Sequence, residues 1–370
     1  MVPSGTLPGF DLVVATVDRV EPLDRLFDSL DRQSHGHFRV LLVDQNQDAR
    51  LEPVIGRHRS LEIVHLGSPR GLSRARNEAL GLLDADVVAF PDDDCVYADD
   101  LLERIALRFA RDPGLGGLVG RAVDTEGRSD PNWDEAPGRL TRDNVWHRGI
   151  SFTIFLRRGV VERVRDFDEK LGVGSPDAWA SGEEIDYLIR AIGLGDRLEY
   201  DPAVTVVHPE TQRSPEALRA LRYRDGTSVG YILRKHRYPA RAVARMLVRP
   251  LGGAALSLAR ADLARARTHL STFRGRQTAG LSFCSAATST RPIGSNWRCR
   301  PSGCSFRRIR TCSSSSRGGS SSRSTDTSRS SGSAGTSSLS ASTPSVTHQT
   351  YSSARTCSCI RRCTTRARAS

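Results

Sequence analysis

Short runs of β-branched residues alternate with helical patterns from Met1 to His208, and this alternation restricts the possible folds more than any other feature of the chain. Between the runs, apolar residues recur at helical spacing, as Leu23, Leu26 and Leu30 do. Such alternation is typical of an α/β fold with a mainly parallel sheet. Strands are expected at Asp11–Val17, Phe38–Asp44, Leu61–Leu66, Asp86–Phe90, Gly117–Val123, Ser151–Leu156 and Ala203–His208, and helices at Leu72–Leu83, Ala98–Asp112 and Glu183–Ile192.

A helical region is expected to follow, from residue 211 to residue 280. It is rich in Ala and Arg, and its apolar residues recur at helical spacing. Basic amphipathic helices can lie on an anionic membrane surface, and they can equally form an appendage packed on a catalytic domain with a solvated basic face. Periodicity alone does not separate these two interpretations.

Residues 281–370 differ in composition from the rest of the chain. They contain fourteen Arg, no Lys and one acid, Asp326, whereas residues 1–280 contain forty basic and forty-one acidic residues. The net charge of +12 therefore belongs to the tail and does not indicate that the body binds nucleic acid. We expect Leu281–Ser370 to be disordered. We interpret this tail as out-of-frame translation of a GC-rich gene in preference to a true low-complexity tail.

The first 280 residues carry the features of a cytoplasmic protein. They contain one cysteine, Cys95, and the opening MVPSGTLPGF lacks the basic and apolar regions of a signal peptide. The longest apolar run, Pro250–Ala259, is about half the ~20 residues that cross a bilayer. We expect a soluble, cytoplasmic protein, with peripheral contact of the basic helices with the inner face of the plasma membrane as one of the two interpretations given above.

Three adjacent carboxylates, Asp92, Asp93 and Asp94, follow the expected strand Asp86–Phe90. Two unit charges ~4 Å apart at an effective dielectric near ~20 interact by about 4 kcal/mol, so the triplet calls for a nearby cation. The plainer interpretation is a turn in which Asp94 caps a helix. Ligands bind at the carboxyl ends of strands in open α/β sheets, and this position favours a site for Mg²⁺ or Mn²⁺.

A second acidic pair, Glu183 and Glu184, opens the expected helix Glu183–Ile192. Acids in a first helical turn are favoured by the helix dipole alone. The functional interpretation makes one of the two a general base that deprotonates an attacking hydroxyl.

Six motifs in order then carry a resemblance over Met1–His208: VATVDRVEPLDRLFDSLDRQ, FRVLLVDQNQD, RGLSRARNEAL, VVAFPDDDCVYADDLL, FDEKLGVG and SGEEIDYLIR. Together they resemble the family 2 glycosyltransferases, inverting enzymes of the hexosyltransferase class with the Rossmann-like GT-A fold. The resemblance implies a nucleotide-sugar donor, a divalent metal, and a glycan or lipid-linked acceptor in cell-envelope polysaccharide synthesis.

The resemblance also implies roles for individual residues. It assigns Glu184 as the catalytic base, with Glu183 as second choice because Glu replaces the family's Asp at position 184. Asp94 is the expected metal ligand, joined by Asp92 and His208. Asp186 and Arg190 are expected to orient their helix, and Trp179 and Asp186 to lie on the acceptor side. Donor contacts are implied for Thr16, Asp18, Asp44, Arg74, Arg76, Asn77, Asp92 and Asp93.

Competing classes fit less well. A dinucleotide-binding dehydrogenase would carry G-x-G-x-x-G after the first strand, where this chain has VATVDRVEP. A sugar-nucleotide pyrophosphorylase would carry a Gly-rich, Lys-containing phosphate loop near the N-terminus, whereas the body's lysines are Lys170 and Lys235. A non-catalytic nucleotide-sugar-binding protein would tolerate the loss of Glu183 and Glu184, and both acids are present.

Overall fold

A computed structural model describes residues 6–177, 179–209 and 213–281, with no account of the side chains of residues 279–281. The expectations for the tail, disorder and an out-of-frame origin, fall on residues 282–370, outside the described residues. The layers of sheet and helix and the helices that follow them belong to one compact unit.

The described residues form one eight-stranded sheet in the order β3-β2-β1-β4-β7-β5-β8-β6. Four of its seven strand pairs are parallel and three are antiparallel, so the predicted α/β fold is confirmed with a mixed sheet. The strands are β1 (Phe10–Thr16), β2 (Phe38–Asp44), β3 (Ile63–Gly67), β4 (Val87–Ala89), β5 (Gly117–Val123), β6 (Gly138–Arg139), β7 (Ile154–Arg157) and β8 (Leu198–Val207).

The antiparallel strand β7 lies between β4 and β5 and separates the sheet into two halves. The expected strand Ser151–Leu156 begins instead with a 3-10 turn, Ser151–Thr153, before β7. In that turn the Thr153 hydroxyl donates to the Gly120 and Ile150 carbonyls, so a side chain takes over part of the backbone pairing.

Helices cover both faces of the sheet. Leu12 and Val14 of β1 pack with α1, α2 and α4, while Val13 points to the opposite layer with α3, α5 and α6. Successive strand residues alternate between faces, so a continuous apolar run is what a strand buried on both sides requires. The helices are α1 (Glu21–Asp31), α2 (Glu52–Arg57), α3 (Leu72–Leu80), α4 (Leu101–Arg111), α5 (Arg158–Val164) and α6 (Glu183–Gly193).

Three helices make up the region expected to be helical: α7 (Pro215–Lys235), α8 (Ala240–Ala259) and α9 (Leu263–Leu281). Among the described residues, α8 is the one helix whose length and composition would suffice to cross a membrane. The apolar run Pro250–Ala259 is only the second half of this helix.

Helix α7 packs against the start of α6. A Cβ atom on Gly182, the residue before α6, would lie 2.7 Å from Cδ1 of Ile232. Gly182 also has a φ of 82°, which a residue with a side chain rarely adopts. Glycine therefore lets α7 approach the first turn of α6, where Glu183 and Glu184 lie.

Candidate active site

The parallel half of the sheet places several polar side chains along one edge. Thr16 and Asp44 end neighbouring strands and are partners in register. Asp92, just past β4, forms a parallel bridge with Ala15. The antiparallel bridge between Val96 and Val207 brings the end of β8 to the same place. The carboxyl ends of β1, β2 and β4 thus surround the acidic loop, as expected for a ligand site in an α/β sheet.

Each carboxylate of the acidic loop has different partners. Asp92 accepts from Nη2 of Arg76 at 3.1 Å and from the Ser151 hydroxyl at 3.1 Å. Asp93 accepts from the Thr16 hydroxyl at 2.6 Å and from Nη1 of Arg19 at 2.9 Å.

The third carboxylate, Asp94, lies between Arg19 and His208. It pairs with the Arg19 guanidinium, and its Oδ1 lies 3.0 Å from Nε2 of His208. Arg19, Arg76 and His208 therefore contact the three carboxylates, and their positive charge lowers the repulsion expected within the triplet.

Asp92, Asp94 and His208 can hold a metal ion. Each offers one ligand atom, and these atoms lie within 4.8 Å of one another. The three residues are the ligands that the resemblance implies. Two carboxylate oxygens and one imidazole nitrogen suit Mg²⁺ or Mn²⁺, with substrate oxygens completing the shell.

Protonation equilibria in the loop follow these contacts. Burial raises the pKa of Asp93 to about 6, against the hydrogen bond from Thr16 and the charge of Arg19. Burial also acts to raise the pKa of Asp94, but His208 and Arg19 outweigh it and lower that pKa below its usual value. The hydrogen bond to Asp94 raises the pKa of His208. At neutral pH, Asp94 is thus more firmly ionised than Asp93.

Arg76, for which a donor contact is implied, is a buried counter-ion in the structure. Only 1% of it is exposed, and its guanidinium joins Asp92 to Oε1 of Glu183, 2.9 Å from Nη1. The rings of Phe90 and Phe167 lie 5.9 and 5.5 Å from its Cζ atom. Arg76 therefore links the acidic loop to the first turn of α6.

The adjacent acids Glu183 and Glu184 have different environments. Glu183 is buried and paired with Arg76. Glu184 lies beside a narrow pocket lined by Phe90, Ser151, Ile154, Phe167 and Tyr187. Burial, followed by the charge of Glu183, raises the pKa of Glu184 well above its usual range. Of the two candidates for the base, Glu184 is the one without an arginine partner among the contacts of the described residues.

Asp186, on the same helix, lies fully buried in a cationic clamp. Its carboxylate lies 2.9 Å from Arg190, 2.7 Å from Lys235 and 2.8 Å from His236. Burial opposes its ionisation, but the hydrogen bond from His236 and the charges of Lys235 and Arg190 lower its pKa to about 2. The structure places Asp186 and Arg190 where they orient α6 and fasten it to α7, and not on an open acceptor surface.

Trp179 stacks on Tyr231 of α7, with ring centroids 3.9 Å apart and planes 19° from parallel. The Tyr231 hydroxyl donates to Asp168 at 2.8 Å. One face of the indole is therefore occupied within the protein, so an acceptor sugar would have only the other face to stack on.

The remaining residues with implied donor contacts lie at the same edge but differ in exposure. Asp44 is buried and accepts from Asn46 and His65. Asn77 exchanges two hydrogen bonds with the backbone of Phe167, so it fastens α3 to the loop before α6. Asp18 and Arg74 are more open: Asp18 pairs with Arg50 and Arg70, and Arg74 pairs with Glu169.

Sequence reasoning missed Arg19, Ser151 and the clamp of Lys235 and His236. Arg19 gave a signal, because it follows the first strand by three positions and so lies at the ligand edge of the sheet. Ser151 and the clamp gave none, because they contact their partners across 59, 49 and 50 positions of sequence.

Comparisons with known proteins point to one family of enzymes. Residues 11–165 match the model of Glycosyl transferase family 2. The pre-mycofactocin glycosyltransferase of Mycobacterium tuberculosis is 29% identical over 183 residues, which cover 46% of this chain and 37% of that protein. The succinoglycan biosynthesis protein ExoM of Rhizobium meliloti is 26% identical over 246 residues, which cover 63% of this chain and 77% of that protein.

Among solved structures, the mannosyltransferase PcManGT from Pyrobaculum calidifontis, in complex with GDP-Man and Mn²⁺, has a TM-score of 0.54 at 16% identity. The match covers 75% of this chain and 88% of that one. The fold is therefore that of the GT-A glycosyltransferases. Residues 11–165 therefore match the family 2 glycosyltransferases, as the motifs indicated. It spans 37% of the length of the mycobacterial relative, and Glu184 and His208 lie beyond the part that the family model matches.

Proposed function

We propose that the protein transfers a sugar from a nucleotide-diphosphate donor to a hydroxyl group of a glycan or lipid-linked acceptor, with inversion at the anomeric carbon. The observation that carries the proposal is the link between Glu184 and the acidic loop, which runs through the buried side chain of Arg76. Asp92 belongs to the loop's metal-competent set, and Arg76 joins Asp92 to the residue before Glu184. The proposed leaving-group site and the proposed base would therefore be held at a fixed spacing.

The reaction is a single displacement. Glu184 accepts the proton of the acceptor hydroxyl as the new oxygen–carbon bond forms and the bond from the anomeric carbon to the diphosphate breaks. Attack from the face opposite the diphosphate inverts the configuration. A divalent ion held by Asp92, Asp94 and His208 would neutralise the charge that develops on the leaving diphosphate.

Local contacts suit the side chains to these roles. Burial and the charge of Glu183 raise the pKa of Glu184 well above the usual range, which makes Glu184 a stronger base once ionised. Thr16 and Arg19 hold Asp93 beside the proposed metal ligands. Arg76 compensates the charge of Glu183, so that Glu183 supports the helix start without competing for the acceptor proton.

Two comparisons support the class of substrate and of process. The structural neighbour from Pyrobaculum calidifontis binds GDP-Man and Mn²⁺, and the relative from Rhizobium meliloti is a succinoglycan biosynthesis protein. We propose a nucleotide-sugar donor, Mg²⁺ or Mn²⁺ as cofactor, and a role in cell-envelope polysaccharide synthesis on the cytoplasmic side of the membrane.

The test is binding of a panel of nucleotide sugars to the full chain, by calorimetry, with and without Mn²⁺. Asp94→Asn removes the charge of one proposed ligand at nearly constant shape, and Asp84→Asn is the matched control, because the Asp84 side chain is 85% exposed. We expect Mn²⁺-dependent binding of at least one donor by the wild type and by Asp84→Asn, and its loss in Asp94→Asn. A folded protein that binds no nucleotide sugar with Mn²⁺ would refute the proposal.

A further inference from the structure

Helix α8 has an inverted distribution of side chains. Its buried positions are Pro250, Ala254 and Ser257. A helix on the surface of a globular protein normally buries its large apolar residues and exposes polar ones. Here four large aliphatic residues face outward, with 37 to 61% of each exposed: Val248, Leu251, Leu256 and Leu258.

Close packing against α9 accounts for this inversion. A Cβ atom on Gly253 would lie 2.7 Å from the imidazole of His269, so the two helices approach through small residues. Ala266 of α9 is buried on the same side. Because small residues fill the contact between α8 and α9, the leucines of α8 are left on the outside. Leu263, at the start of α9 and 57% exposed, extends the apolar ridge past the turn.

Positive charge surrounds this ridge. From residue 240 to residue 270 the chain contains six arginines and one acid, Asp262. Asp262 caps α9 by accepting from the backbone N–H of Arg265 at 2.9 Å. The arginines are Arg241, Arg245, Arg249, Arg260, Arg265 and Arg267.

We propose that the outer face of α8 and the start of α9, here called the α8 ridge, docks on the surface of an anionic lipid membrane. An apolar face flanked by Arg is the composition of helices that lie in the headgroup region, where the aliphatic side chains enter the acyl boundary and the cations meet lipid phosphates. A polar protein partner would satisfy the charges but would leave the row of leucines without an apolar counterpart.

The contacts of Arg249 favour a helix that lies on the membrane over one that spans it. Its Nη1 lies 2.8 Å from Nε2 of His147, and its Nη2 donates to Oδ1 of Asn132 at 3.2 Å. These contacts hold the middle of α8 on the glycosyltransferase domain. Arg241 and Arg245 are also exposed on the first half of the helix, where a spanning helix would place them in hydrocarbon.

The test is flotation of the full chain with phosphatidylcholine vesicles, with and without phosphatidylglycerol. The double variant Leu251→Ser/Leu258→Ser removes apolar contact from the ridge. Val173→Ser/Leu194→Ser is the matched control, because both residues are similarly exposed but lie on the glycosyltransferase domain. Residues 281–370 carry fourteen arginines, whose charge attracts anionic vesicles equally in every variant unless salt screens it, so each comparison is made at low and at high salt.

We expect the wild type and the control to float with anionic vesicles at both salt concentrations. The ridge variant is expected to lose at least tenfold in vesicle affinity at high salt, with an unchanged circular dichroism spectrum. Equal flotation of the ridge variant and the wild type would overturn the proposal. So would a dimer, measured by light scattering, that dissociates in the ridge variant, because a second copy would then cover the ridge. Resistance to alkaline carbonate extraction from cells would instead indicate a spanning helix.

Vesicle binding does not depend on sugar transfer. Glu184→Gln is therefore expected to float as the wild type does. The membrane proposal and the proposed reaction can accordingly fail separately.

Discussion

Two groups of carboxylates lie at the same edge of the sheet and are neutralised in different ways. Asp92 and Glu183 share Arg76, which is 1% exposed and enclosed by aromatic rings. Asp93 and Asp94 share Arg19, whose side chain is 47% exposed. A buried cation cannot leave without stranding its partners in a medium of low dielectric, whereas a half-exposed one can exchange with solvent at little cost.

The charge of Asp92 and Glu183 is thus compensated permanently by Arg76, whereas the charge of Asp93 and Asp94 is compensated by a cation that can be replaced. Arg76 fixes the spacing between the acidic loop and α6, so the group around it acts as part of the scaffold. Arg19 covers Asp93 and Asp94 only from the solvent side, so another cation can take its place. The following predictions test this division.

The largest effect is expected for Glu184→Gln, which removes the proposed base. Loss of a positioned general base lowers turnover by roughly 10²–10⁴-fold. Binding of the donor should be unchanged, because Glu184 lies on the acceptor side of the proposed reaction. Single-turnover transfer assays and donor calorimetry measure the two quantities.

A pH profile provides the control for that assignment. Since the pKa of Glu184 is raised, the wild-type rate should fall with decreasing pH well above the usual range of a carboxyl group. A rate that stays flat down to the pKa of an ordinary glutamate would assign the base elsewhere.

Glu183→Gln should destabilise the protein, because it disrupts the buried group of Asp92, Arg76 and Glu183. It leaves Arg76 buried with one carboxylate in place of two, and removing one partner of a buried pair costs about 3 kcal/mol or more of unfolding free energy. Urea denaturation measures this loss. Glu184→Gln, its neighbour and matched control, should leave stability equal or higher, because it removes an unfavourably buried charge. Equal losses in both variants would contradict the division between the two acids.

Asp93→Asn should stabilise the metal-free protein at pH 8. The folded-state pKa of Asp93 is raised to about 6 from 3.8, so its contribution to stability is full below pH 3.8 and is lost as pH rises through 6. Asparagine cannot ionise, and the gain at pH 8 is about 2–3 kcal/mol. Thermal unfolding in the presence of EDTA should show the difference at pH 8 and none near pH 4.

Arg19→Gln should have the smallest effect of the variants considered, and it should strengthen the binding of Mn²⁺ instead of weakening it. An ion pair exposed to this degree contributes at most about 1 kcal/mol, so its removal should strengthen Mn²⁺ binding by up to about fivefold. Titration followed by electron paramagnetic resonance measures free Mn²⁺ directly. Arg32→Gln is a suitable control, because Arg32 pairs with the exposed Asp99. Weaker Mn²⁺ binding in Arg19→Gln would mean that Arg19 supports the metal site and does not compete for it.

The α/β fold and the match to the family 2 glycosyltransferases could be predicted because both depend on local patterns. Strand runs such as Phe38–Asp44 and the acids after β4 are visible in sequence, and parallel strands bring their carboxyl ends together. The direction of β7 was not visible, because a buried strand has the same composition in either orientation.

Partners distant in sequence account for most of what the sequence could not predict. Arg76 and Glu183 are 107 positions apart, and nothing in either motif indicates that one neutralises the other. The exposure of the leucines of α8 could not be predicted from the sequence for a related reason. Periodicity shows that a helix has an apolar face, but only the position of α9 decides which face is covered.

The clamp on Asp186 has a consequence for how this protein can be divided. A chain shortened before α7 would keep the whole of the region that the family model matches, yet it would lose Lys235 and His236 and leave a fully buried carboxylate with Arg190 alone. The region that the family model matches is therefore shorter than the region that supplies the partners of this buried carboxylate. For domain exchange or truncation, we therefore expect the usable boundary to lie beyond His236 and not at the edge of the family match.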